Sequence, residues 1–175
     1  MLVPVDLARI AISENSQTQV VWLKEKDGPR GFPIIIGIFE AWAIERYLKG
    51  QTFMRPLTHD LLVNTLTALK GELKKIVITD IKDGTFFAKL VIENGNGVVE
   101  IDSRPSDALA LATRLRAPIF AEEHVILSAI QPGGLFPPDS GIDRSMADIE
   151  ESEIGDDFEY EDDDDDDEDD DDDEY

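Results

Sequence analysis

The feature that most limits how this chain can fold is where its charge sits. Residues 141–175 hold 22 acids and one base, Arg144, whereas residues 1–140 hold 17 acids and 15 bases, a net of −2. The final run, "EDDDDDDEDDDDDEY", repels itself and has almost nothing apolar to bury, so it is expected to stay disordered. Folding is thus confined to one domain over residues 1–132, followed by a linker and polyacidic tail over 133–175. Pro and Gly in "QPGGLFPPDSG", residues 131–141, mark that linker.

Cysteine is absent from all 175 residues, which excludes disulfides and thiolate metal sites. The start, "MLVPVDLARI", lacks the basic and apolar regions of a secretory signal, and no apolar stretch approaches the ~20 residues that span a bilayer. The expectation is a cytoplasmic protein with no membrane partner.

Within the domain, "VPVDLARIAI" and "TQVVWLKE" read as strands around the polar break "SENSQ", and "FPIIIG" reads as a third. A helix is predicted from about Gly37 to Lys49, with Ala41, Ile44 and Leu48 inward. A second starts at a Thr58 N-cap and ends at Gly71, presenting Leu61, Leu62, Thr65, Leu66 and Leu69 as one face. Three strands follow, joined at Asp83-Gly84 and at Asn94-Gly95-Asn96-Gly97, both favoured hairpin turns. A helix over Ser106–Arg116, the short strand "APIFA" and a final helix in "EEHVILSAI" complete the order β-β-β-α-α-β-β-β-α-β-α. The fold class is α+β with a mainly antiparallel sheet. Trp22, Trp42 and the Phe86-Phe87 pair sit in apolar patterns and are expected in the core.

Two stretches share a theme. "RPLTHDLL", residues 55–62, and "RPSDALAL", residues 104–111, both set Arg-Pro, a hydroxyl and Asp at a helix start, which hints at a duplicated β-α-β unit. Capping explains Thr58 and Ser106, the fixed φ of proline explains Pro56 and Pro105, and the helix dipole explains Asp60 and Asp107. It does not explain Arg55 or Arg104, because a cation is disfavoured at a helix N-terminus. Two accounts stay open. Structural ion pairs, Arg104–Asp102 or Arg55–Asp107, would satisfy the arginines. Alternatively Arg55, Arg104 and Ser106 bind a phosphate; Asp102 and Asp107 hold a divalent metal, Mg or Mn; and His59, Asp60, Asp102, Asp107 and Glu40 supply the acid–base chemistry of phosphodiester cleavage. His124, at the edge of the last helix, is a weaker candidate.

"PIIIGIFEAWAIERYLKG", "RPLTHDLL", "DGTFFAKL" and "IDSRPSDALALATRLRAPIF" resemble, in order and spacing, the hallmark segments of the bifunctional nuclease family of bacteria and plants. The resemblance covers about residues 1–130. It implies an α+β domain of two similar halves, a homo-oligomer, and cleavage of both DNA and RNA. It carries over Glu40, Arg55, His59, Asp60, Asp102, Arg104, Ser106 and Asp107 as positions in the shared motifs. The polyacidic tail has no counterpart in that pattern. It would bind a basic protein partner, hold hard cations weakly, or fold back as a nucleic-acid mimic. The alternative reading is a non-catalytic oligomeric interaction module whose acidic tail binds a basic partner.

Overall fold

The structure is a computed structural model and describes residues 1–12 and 19–130. The "SENSQ" turn, the linker and the acidic tail lie outside the described residues. Eleven elements follow one another in the predicted order. Strands β1 (Leu2–Ala11), β2 (Gln19–Glu25) and β3 (Gly31–Ile36) precede helices α1 (Ile38–Leu48) and α2 (Thr58–Ala68). Strands β4 (Glu72–Lys82), β5 (Thr85–Asn94) and β6 (Gly97–Ser103) come next, then α3 (Pro105–Leu115), β7 (Ile119–Glu122) and α4 (Glu123–Ile130).

The strands form one sheet in the order β3-β2-β1-β7-β4-β5-β6. Two antiparallel meanders flank the short β7, which runs antiparallel to β1 and parallel to β4. The β4–β5 turn is tight because Asp83 and Gly84 both take positive φ, 47° and 79°, the pairing a two-residue hairpin needs. The β5–β6 turn closes on Gly95-Asn96, with Asn94 opposite Gly97 and the Asn96 N–H donating to Asn94 Oδ1.

A flat sheet would hold β3 and β5 roughly 24 Å apart at ~4.8 Å per strand. Yet Phe32 of β3 stacks on Phe86 of β5 with centroids 5.7 Å apart. The sheet is therefore strongly coiled, and its concave side wraps the core. Phe32, Leu23, Ile44, Ile76, Leu109 and Ile126 are fully buried there. Helix α3 is the central helix: it packs on β4 and β5 and touches both α1 and α2. Away from these helices, Arg30 joins Glu25 and Glu123, tying the β2–β3 turn to α4.

Four expectations are corrected. Thr58 is the first helical residue of α2 and Leu57 its N-cap; Asp60 accepts the Leu57 N–H at 3.1 Å in place of a capping hydroxyl. Ser106 does not cap α3 either, because Pro105 occupies the first helical position and makes Arg104 the N-cap. The leucine face of α2 is largely bare: Leu61, Leu62 and Leu69 are exposed and Val63 is buried instead. Trp42 is likewise exposed and meets exposed Phe39 edge-on at 5.9 Å, while Phe87 is partly exposed beside buried Phe86. The reason is layering. Helix α2 lies outside α3 rather than on the sheet, so only one side of it is covered. As to duplication, the helices that follow the two meanders are α1 and α3, whereas the Arg-Pro stretches precede α2 and α3.

Candidate active site at the helix starts

The N-terminal turns of α1, α2 and α3 meet. Helix α3 supplies Arg104 as N-cap and Asp107 in its first turn, so the guanidinium folds forward over the carboxylate. Arg104 Nε donates to Asp107 Oδ2 at 2.8 Å and Nη2 to Asp107 Oδ1 at 3.2 Å, the two-point geometry an arginine fork favours. The third nitrogen, Nη1, reaches Glu40 Oε1 of α1 at 3.0 Å. From α2, His59 Nε2 lies 3.1 Å from Asp107 Oδ1. An arginine stands at this helix start because two carboxylates from two helices share it.

Exposure separates the members. The Arg104 side chain is 66% exposed, His59 only 16%. Burial pushes the Asp107 carboxyl up, but hydrogen bonds from Arg104 and His59 outweigh it and hold it below the usual carboxylate range. Asp107 and Glu40 together hold Arg104 more firmly protonated than a free arginine. With imidazole neutral, the group carries one cation against two anions.

Glu40 depends on a glycine that spacing alone did not single out. A Cβ at Gly37, the N-cap of α1, would sit 2.4 Å from Glu40 Oε2. Its backbone is extended, so the requirement is space for the carboxylate and not an unusual φ.

The other expected site residues go elsewhere. Asp60, next to His59 in the chain, turns to a second cluster. It accepts from Arg46 Nη2 at 2.6 Å and from the Tyr47 hydroxyl at 2.8 Å, with Arg114 Nε at 3.6 Å. Arg46 also donates to the Tyr47 hydroxyl oxygen at 2.6 Å and stacks on that ring. Burial raises the Asp60 carboxyl, yet bonds from Tyr47, Arg46 and the Leu57 N–H keep it below its ordinary value. Burial and the Asp60 contact push the Tyr47 hydroxyl up to about 12, so it remains a donor at neutral pH. Arg46, Tyr47 and Arg114 escape detection in the sequence because their common partner lies 13 to 54 residues away; the only local trace is an arginine and a tyrosine following the apolar stripe of α1.

Asp102 stands on exposed β6 opposite Lys89 of β5, outside the Arg104 pairing. Arg55 is exposed and makes no ion pair or hydrogen bond among the described residues. Ser106 is buried, so its hydroxyl is not offered to a ligand in solution. His124 pairs with Asp80 at 3.4 Å on the surface. Among the described residues, no three His, Asp or Glu side chains gather as a metal-holding group. Both Asp107 oxygens are committed to Arg104 and His59, so the donor set does not fit a bound ion.

The family model described as the bifunctional nuclease domain matches residues 21–132. Two uncharacterized proteins from two strains of Mycobacterium tuberculosis are each 36% identical to this chain over 145 residues, covering 83% of it and 84% of the relative. No helix among the described residues is long and apolar enough to cross a membrane.

Proposed function

Because the chain belongs to the bifunctional nuclease domain family, we propose that it hydrolyses phosphodiester bonds in DNA and RNA at the meeting point of α1, α2 and α3. The observation that carries this reading is the His59–Asp107 contact across two helices, set beside an arginine that is two-thirds exposed. A carboxylate that accepts the Nε2–H of an imidazole fixes its tautomer and leaves Nδ1 as the base. In the proposed step, His59 Nδ1 takes a proton from a water whose oxygen attacks phosphorus. The bond from phosphorus to the leaving sugar oxygen breaks, and that oxygen takes a proton from solvent. Arg104 stabilises charge on the non-bridging oxygens, and exposed Arg55 adds a second cation. Glu40 holds Arg104 in the absence of substrate; a phosphate displaces it from Nη1. Mg²⁺ or Mn²⁺ enters this proposal only as a counterion of the nucleic acid.

The test is cleavage of single-stranded RNA and DNA by the purified chain with Mg²⁺, Mn²⁺ or EDTA, compared with His59→Ala and Arg104→Ala. Both variants are expected to keep their fold and lose cleavage. Activity retained in His59→Ala removes the dyad from the mechanism.

A second reading is favoured by the uncovered apolar surface of α1 and α2. Phe39, Trp42, Leu57, Leu61 and Leu62 are each exposed, with Phe39 and Trp42 in edge contact, and large apolar side chains left open on a surface can mark an interaction site. We infer that this surface joins copies of the chain into a homo-oligomer. If Arg104 serves only as a structural clamp, the domain is a scaffold and its acidic tail the binding element for a basic partner. Leu61→Glu separates the parts: it is expected to lower the oligomeric mass in light scattering, and a chain that never cleaves nucleic acid leaves the scaffold reading standing.

A further inference from the structure

The second cluster has the opposite charge balance to the first. Arg46 and Arg114 share the one carboxylate of Asp60, and Tyr47 stays protonated, which leaves a net charge of +1. The two guanidinium groups lie on the same tyrosine ring, Arg46 at 4.1 Å and Arg114 at 5.3 Å from its centroid. They differ in access: the Arg46 side chain is 7% exposed and Arg114 44%. Arg46 therefore supports the patch from within, its Nε buried without a partner among the described residues, while Arg114 presents charge to solvent. Beside them, exposed Phe53 in the α1–α2 connection lies 5.5 Å from the Arg46 guanidinium.

We propose that Arg114 and Phe53 form a subsite for single-stranded nucleic acid, with a backbone phosphate on Arg114 and an unstacked base against Phe53. The inference rests on the nuclease reading for its choice of ligand. Charge and aromatic surface both favour it. A cation over a ring beside an open aromatic face is what sequence-tolerant strand binding uses, and only an unpaired base offers its π-face. Spacing also fits. Asp107 and Arg114 are seven residues apart on α3, two turns along the same face and so about 10.5 Å. An unstacked strand is longer per nucleotide than the ~3.4 Å axial rise of a duplex, so that distance spans at most about three nucleotides and makes Arg114 the holder of a phosphate beyond the one at Arg104. Adjacent His59 and Asp60, directed one to each cluster, join the two positions at the start of α2.

The experiment is anisotropy titration of a fluorescent single-stranded oligonucleotide with the full chain in EDTA over a series of salt concentrations. Parent, Arg114→Gln, Arg114→Lys and Phe53→Leu are compared, each with a thermal unfolding curve. Arg114→Gln is expected to weaken binding and to reduce the slope of log affinity against log salt by about 0.7, the signature of one lost single-strand phosphate contact. Arg114→Lys keeps the slope. Phe53→Leu weakens binding roughly five- to a hundredfold without altering the slope, and a duplex does not feel the change. Equal affinity and slope for parent and Arg114→Gln overturn the subsite while leaving the dyad untouched. A polyaspartate peptide that binds as tightly as the oligonucleotide also overturns it, by assigning the patch to acidic protein segments. Conversely, a chain that binds with the Arg114-dependent slope but cleaves nothing sinks the nuclease reading and leaves the subsite.

Discussion

Two ionic clusters join the same three helices, and they are built to opposite specifications. In one, Glu40 and Asp107 hold the solvent-exposed guanidinium of Arg104, with His59 on Asp107. In the other, Asp60 is closed in by Arg46 and Tyr47. Pairing in water contributes little, because solvent screens it and flexible side chains lose entropy; the median exposed pair gives about 0–1 kcal/mol. Pairing in the interior is different, since removing one partner strands the other without water. The exposed cluster is therefore cheap to open and suited to exchanging Glu40 for a ligand. The buried one fixes the angle at which α1, α2 and α3 meet. The two clusters divide at one peptide bond, between His59 and Asp60.

That division is broken most sharply by substituting the two neighbours in turn. His59→Ala is expected to reduce cleavage about 10²- to 10⁴-fold, the usual share of a general base, with little change in unfolding temperature. Asp107→Asn lowers the rate in the same direction, because it removes the charge beside the imidazole and sets an amide donor against the Arg104 fork. Asp60→Ala is expected to do the reverse, destabilising the fold by about 3–5 kcal/mol because Arg46 is left charged and buried. Denaturant unfolding of both variants checks the contrast; equal destabilisation would merge the two clusters into one structural unit.

A smaller effect sharpens the account of Arg104. Glu40→Gln is expected to tighten oligonucleotide binding about two- to fivefold, the scale of a partly exposed ion pair. Gly37→Ala should act in the same direction, since its methyl group displaces the Glu40 carboxylate. Weaker binding by both would instead make Glu40 a positioning residue that the phosphate needs.

The least of the effects is on pH. Asp60 and Asp107 both titrate below their ordinary value of 3.8 in the fold. A depressed carboxyl contributes stability above its unfolded pKa and loses it as pH falls through the folded one. Stability should thus be full above about pH 4 and decline below it. Asp60→Asn, if it folds well enough to measure, should show a shallower decline.

Much of the architecture was legible because local chemistry sets it. Asp83-Gly84 and Asn94-Gly97 admit the positive φ that hairpins need, and β-branched runs between them leave few alternatives to strands. Pairing at the helix starts was not legible. Asp102 and Arg104 are two apart and look like neighbours on one strand face, but the strand stops at Ser103 and the chain turns into α3. The guanidinium then swings forward to Asp107 and across to Glu40, neither of which is the partner that spacing suggested. Leu61, Leu62 and Leu69 misled for a related reason: an apolar stripe reports that a surface prefers cover, not which body covers it.

Sequence by itself determined the order of the eleven elements, the antiparallel character of the sheet and the crowding of 22 of the 39 acids into the last fifth of the chain. The first two follow from backbone preference and side-chain periodicity, which act over a few residues. Only the tertiary structure decided which arginine meets which carboxylate, and hence which of two adjacent residues faces an open site. That choice depends on how three helices cross, a relation between segments that no local pattern contains.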